Sequence, residues 1–182
     1  MKISTATLLE ELTGRTEKHL QYAGTLLLKP ENMLNFRIAA DSWSILECLE
    51  HLNRYGNFYI PEISHRISFS ATSPKADFKP GILGNYFAGS MLSKEKLNKM
   101  KTLKGMNPIR SQLNKEVINE FIQQQNQLLD LLKKAEYVNL EKTKTAISIS
   151  KLITLKLGDT FRFVIYHNAR HMVQIENILK NI

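Results

Sequence analysis

The chain has 182 residues, 43% of them hydrophobic and 23% charged, which fits one globular domain with a substantial core and excludes a disordered protein. No apolar run approaches the roughly 20 residues that span a bilayer, and Glu10 and Glu11 interrupt the N-terminus too early for a secretory leader, so a cytoplasmic protein with no membrane partner is expected. A net charge of +8 raises nucleic acid as a partner, but Lys94, Lys96, Lys99, Lys101, Lys104, Arg110 and Lys115 crowd one connecting region without a recognised motif, so none is expected.

Four segments carry a helical period. The first runs from about Thr7 to Leu28, with a Thr7-x-x-Glu10 capping box at its start and Pro30 as its stop. The second opens at Ser44, where Ser44 and Glu47 form an S-x-x-E capping box; Ile45, Leu49, Leu52, Tyr59 and Ile63 trace its apolar stripe. Cys48, His51 and Tyr55 lie along the edge of that stripe, and Pro61 should kink or end the helix. Cys48, the single cysteine, cannot close an internal disulfide and suits a reducing compartment.

From about Ser68 to Asn114 the chain is punctuated by proline and glycine, with short helical turns expected around Leu83–Met91 and Ser93–Met100. The third helix spans about Lys115 to Ala135. Between Tyr137 and Lys156 the alternation at Ile147, Ile149 and Leu152 is strand-like; with no partner strand in view it reads as an extended connection packed on the helices. Asp159 is the expected N-cap of the last helix, which continues to about Lys180. Four helices of this length suit an all-α four-helix bundle. The long crossover between the second and third helices returns the chain to its starting end, which implies an up-down-down-up order.

Three histidines stand out on these helices. His167 and His171 are one helical turn apart, so both rings lie on one face, and His51 is a third imidazole on another helix. Any one of them alone is accounted for by a hydrogen-bonded place at the core edge. Together they match the three protein ligands of a divalent metal site that keeps a further position open for water or substrate. Imidazole alone does not choose among zinc, nickel, copper and iron. His19 is a more remote fourth ligand, His65 reads as solvent-facing, and Cys48 reads as small apolar filler rather than a ligand. Tyr55 and Tyr166 border the histidines, Trp43 reads as a hydrophobic staple, and Glu47 and Gln174, each one turn from a histidine, are the candidates for catalytic groups.

Two stretches carry a resemblance to a known family. Trp43-Ser44-Ile45-Leu46-Glu47-Cys48-Leu49-Glu50-His51-Leu52 resembles the W-S-x-x-E-x-x-x-H-L signature of the DinB/YfiT-like superfamily, and His167-x-x-x-His171-x-x-Gln174 is similar to its H-x-x-x-H-x-x-Q ending. The resemblance implies a four-helix bundle in which His51, His167 and His171 hold a divalent cation, most often nickel or zinc. It implies a small-molecule substrate and a homodimer. Some members look like hydrolases and others like transferases that use a low-molecular-weight thiol. A non-catalytic metal- or ligand-binding bundle is the alternative.

Overall fold

The computed structural model describes residues 2–92 and 102–182. Within them the protein is mostly helical, with two small antiparallel sheets. The long helices are α1 (Thr5–Leu27), α3 (Ile45–Ser68), α5 (Glu116–Ala135) and α6 (Leu157–Leu179). Shorter pieces are α2 (Glu31–Leu34), α4 (Ile82–Met91) and a 3-10 turn at Lys104–Met106. Helices α1 and α3 each pack against both α5 and α6. The turn expected at Ser93–Met100, and the lysines from Lys94 to Lys101, lie outside the described residues.

The start of α1 differs from the expected Thr7-x-x-Glu10 box. Ser4 is its N-cap, and its side chain accepts from the Thr7 backbone N–H. The displacement follows from pairing: Ile3–Ser4 (β1) lies antiparallel to Asp77–Phe78 (β2), which holds Ser4 extended just before the first turn. Helix α3 begins as its sequence predicts, with Ser44 and Glu47 satisfying each other's backbone N–H groups. It does not end at Pro61 but continues to Ser68. The carbonyl that proline deprives of a partner belongs to Asn57, an exposed residue, so water can satisfy it.

The connection before α6 is a hairpin rather than a lone extended strand. Lys144–Ile147 (β3) pairs antiparallel with Ser150–Lys156 (β4), with an irregularity between Ala146 and Ile147. The alternation at Ile147, Ile149 and Leu152 runs across the turn, with Ile147 in β3 and Leu152 in β4, so what reads as one extended segment is two paired strands. The remaining edge of β3 is tied to α3, where the Ala146 N–H donates to Glu62 at 2.7 Å.

Asp159 is not the N-cap of α6. That helix starts at Leu157 directly out of β4, and its first N–H groups donate to the carbonyls of Thr143 (2.9 Å) and Leu140 (3.2 Å), so no side-chain cap is required. Asp159 instead serves another helix. Its fully buried carboxylate accepts from the N–H of Gly81, the N-cap residue of α4, at 2.7 Å and pairs with Arg162 at 3.1 Å. Burial raises its pKa, against the pull of those two partners. Gly84 sits where a Cβ would overlap the Asp159 side chain, so α4 can approach this closely only through glycine.

The apolar core divides into two clusters. One gathers Leu8, Leu12, Tyr59, Ile63, Leu128, Leu132, Phe161 and Ile165; the other gathers Ala23, Leu26, Ile45, Leu49, Ile118, Phe121, Met172 and Ile175. On every long helix buried polar residues fall at or beside the junction of the clusters: Thr16 and His19 on α1, His51 and Asn53 on α3, Gln124 and Gln125 on α5, His167, Asn168 and His171 on α6. Such a layer costs desolvation unless its groups find partners. Asn168 donates to Gln125 at 3.1 Å, Gln124 donates to the Asn53 carbonyl at 3.1 Å, and Asn53 donates to the Val117 carbonyl at 2.9 Å. Thr16 donates to the Leu12 carbonyl at 2.8 Å, and His19 and the three clustered histidines form the remainder of the layer.

Candidate metal centre

The spacing of His167 and His171 on α6 brings their rings together, and packing against α3 brings His51 to them. The Nε2 of His167 lies 3.1 Å from the Nε2 of His51 and 3.1 Å from the Nε2 of His171. All three ligand nitrogens lie within 4.8 Å of one another, and each residue is buried. Among the described residues they are the one group of histidine, cysteine or carboxylate side chains that could hold a metal ion.

The outer nitrogens are already engaged. His51 Nδ1–H donates to the carbonyl of Met106 at 2.6 Å, and His171 Nδ1–H donates to Gln174 Oε1 at 2.9 Å. Each bond places the ring's proton on Nδ1 and leaves Nε2 with a lone pair facing inward. His167 Nε2 carries at most one proton and can donate to only one of its two neighbours, so the other 3.1 Å contact is left with no hydrogen between its nitrogens. A cation among the three nitrogens removes that conflict. Ligand nitrogens about 2.0–2.1 Å from one ion sit roughly 2.9–3.4 Å apart at octahedral or tetrahedral angles, which brackets the two 3.1 Å separations. Two of the three separations therefore match coordination of one divalent ion, and the three nitrogens as a set lie within 4.8 Å.

Electrostatics favours the ligand state of all three rings. Burial lowers the His51 pKa to about 4, although the Met106 carbonyl works the other way. Burial, reinforced by His51, lowers His171 to about 3, and burial with its two neighbours takes His167 well below its ordinary value. Neutral imidazole is the form that binds metal.

Aromatic rings wall the cluster. Trp43 packs on His51 (4.7 Å between centroids) and His171 (5.8 Å), Tyr55 meets His51 and His167 edge-on, and Phe163 stacks on His167. Trp43 thus lies against two of the clustered histidine rings, a place that its reading as a staple does not contain. Glu47 is fully buried below this wall. It receives two hydrogen bonds from Arg37, at 2.6 and 2.8 Å, and others from the N–H groups of Ser44 and Arg110. Burial pushes its carboxyl up, but these donors outweigh it and hold the pKa below the ordinary range. Gln174 reaches the cluster through His171.

Other residues lie elsewhere. His19 is buried on α1 without joining the group, and His65 is exposed beside Phe69. Cys48 is buried, its thiol pKa pushed up by burial and by Glu47, and the Tyr166 hydroxyl turns to Glu11 on α1. Sequence reasoning missed Met106, Arg54, Asn107 and Phe163. Met106 acts through its carbonyl, which no side-chain pattern can advertise.

A model of the DinB superfamily matches residues 8–175. The chain belongs to the DinB superfamily. No curated protein and no solved structure gives a significant match. Within this DinB-superfamily chain the matched span contains all three histidines and Gln174, so the buried cluster is part of the family domain. No helix among the described residues is long and apolar enough to cross a membrane.

Proposed function

We propose that this protein is a metal-dependent enzyme in which His51, His167 and His171 hold a divalent cation, nickel or zinc. The observation that carries the reading is the convergence of three Nε2 atoms, two of them on rings whose Nδ1 protons are already committed outward. When bound, the cation supplies Lewis-acid polarisation of an oxygen or sulfur ligand, the chemistry shared by a hydrolase and a thiol S-transferase. The chain's own residues orient and enclose: Gln174 fixes the His171 ring, and Trp43, Tyr55 and Phe163 exclude water from one side of the cluster. Glu47, with its carboxylate engaged by three residues, holds the start of α3 in place beneath the site.

We read the architecture as a single four-helix-bundle domain in up-down-down-up order. The order in which the helices meet the two core clusters supports this: α1 and α6 run from the first cluster to the second, α3 and α5 from the second to the first. A small-molecule substrate, a low-molecular-weight thiol as co-substrate and homodimeric assembly belong to the same reading through the family resemblance, and a cytoplasmic location through the single cysteine, Cys48. The complete engagement of Glu47 favours one alternative, a non-catalytic metal- or ligand-binding bundle, because it leaves that carboxylate no open position for proton transfer.

Elemental analysis of untagged, natively purified protein beside His171→Ala tests the site. About one equivalent of metal in the wild type and loss in the variant supports it. Metal-free wild type whose melting is unmoved by zinc or nickel overturns it.

A further inference from the structure

The 3-10 turn and the residues just after it are clamped at several points around the metal centre. Arg54 is one turn beyond His51 on α3, and its Nη1 donates to the carbonyls of Gly105 and Asn107, both at 3.2 Å. Between these two carbonyls lies that of Met106, the acceptor for His51 Nδ1–H. Trp43 Nε1–H donates to Asn107 Oδ1 at 3.1 Å, and the Arg110 N–H donates to Glu47. Arg110 has a φ of 65°, a left-handed conformation that a non-glycine residue adopts at a cost and keeps only where its surroundings impose it. Glu50, 2.7 Å from Arg54 Nε, aims the guanidinium.

A histidine ring free to exchange its proton between Nδ1 and Nε2 presents a lone pair toward the cluster only part of the time. A carbonyl held against Nδ1 removes that freedom, and the carbonyl is only as fixed as the backbone carrying it. We propose that Arg54 is a positioning residue for the metal centre: by grasping the carbonyls of Gly105 and Asn107 it holds the Met106 carbonyl against His51 Nδ1 and keeps Nε2 as the metal-facing nitrogen. Arg54 suits this because one planar guanidinium reaches two acceptors on either side of the critical one, which an ammonium on a flexible stem does less well.

The proposal rests on the metal reading for one of its two readouts only. The full chain is compared as wild type, Arg54→Met and Arg54→Lys, each shown folded by circular dichroism. Zinc affinity is measured by competition with a chelator, and the His51 tautomer is read from ring ¹⁵N shifts in metal-free protein. Arg54→Met should weaken zinc binding roughly tenfold to hundredfold and convert the fixed Nδ1–H form of His51 into a tautomer mixture, while Arg54→Lys recovers part of both. Wild-type affinity together with an intact Nδ1–H form in Arg54→Met would overturn the proposal. If the wild type binds neither zinc nor nickel, the metal reading falls. The tautomer comparison then still decides the role of Arg54: a mixture in Arg54→Met sustains it and an unchanged tautomer removes it.

Discussion

His19 and the three clustered histidines share a local description. All four are buried on long helices, all lie in the polar layer at or beside the junction of the two core clusters, and burial lowers the pKa of each. Their partners differ. The Nδ1 atoms of His51 and His171 have acceptors, and all three Nε2 atoms face one another; His19 Nδ1 is buried with no hydrogen-bond partner. Burial and a shifted pKa therefore do not distinguish a ligand from a core residue. Convergence of like donors with their outward protons committed does.

The sharpest way to break the comparison is to exchange the roles by mutation. His167→Ala, which removes the nitrogen shared by both 3.1 Å contacts, should take bound metal from about one equivalent to near zero, whereas His19→Leu should leave it unchanged. Elemental analysis of the two variants side by side reads the result. Metal lost equally from both would erase the distinction.

A second test uses pH. His19 titrates near 6.5 when unfolded and near about 4 when folded, so between those values the unfolded chain binds more protons and stability falls as pH falls. The loss begins below about pH 6.5 and is complete near pH 4, amounting to at most about 3 kcal/mol for this group. His19→Leu should be flatter than the wild type by that amount in urea titrations across the window. Parallel curves would show that His19 is not a buried neutral imidazole.

Smaller effects sharpen the role of the surroundings. Gln174→Leu removes the acceptor of His171 Nδ1–H and should weaken zinc binding roughly tenfold to hundredfold, read by chelator competition, with little change in helical content. The two serine caps repeat the contrast on a finer scale. Ser44→Ala should cost about 1 kcal/mol and also weaken metal binding, because Glu47 and the Arg110 backbone share that cap with the helix bearing His51. Ser4→Ala, at the exposed start of α1 with a 3.4 Å bond, should cost about 0.5 kcal/mol and leave metal affinity alone. Urea melts and zinc titrations of both variants separate the two.

Much of this was legible in advance. The apolar period located α1 and α5 to within two residues and marked the bodies of α3 and α6, and the Ser44–Glu47 box placed the start of α3, because both signals are local. Asp159 misled because a good capping residue near a helix start had a better use on α4, and the hairpin was missed because the alternation at Ile147, Ile149 and Leu152 runs through the turn as if it were one strand. Glu47 shows the opposite: its capping role was readable, but its pairing with Arg37 and Arg110 was not.

Sequence alone determined which side chains could meet. A four-residue interval on a helix sets His167 and His171 on one face, and the two motif stretches pointed to the family and to His51 as the third candidate ligand. Tertiary structure decided what those residues became. It alone brought His51 Nε2 to 3.1 Å from His167, turned the Met106 carbonyl to His51 and kept His19 apart. Helical periodicity is a property of neighbours along the chain, whereas the tautomer of a ring and the company of its free nitrogen depend on groups that only packing delivers.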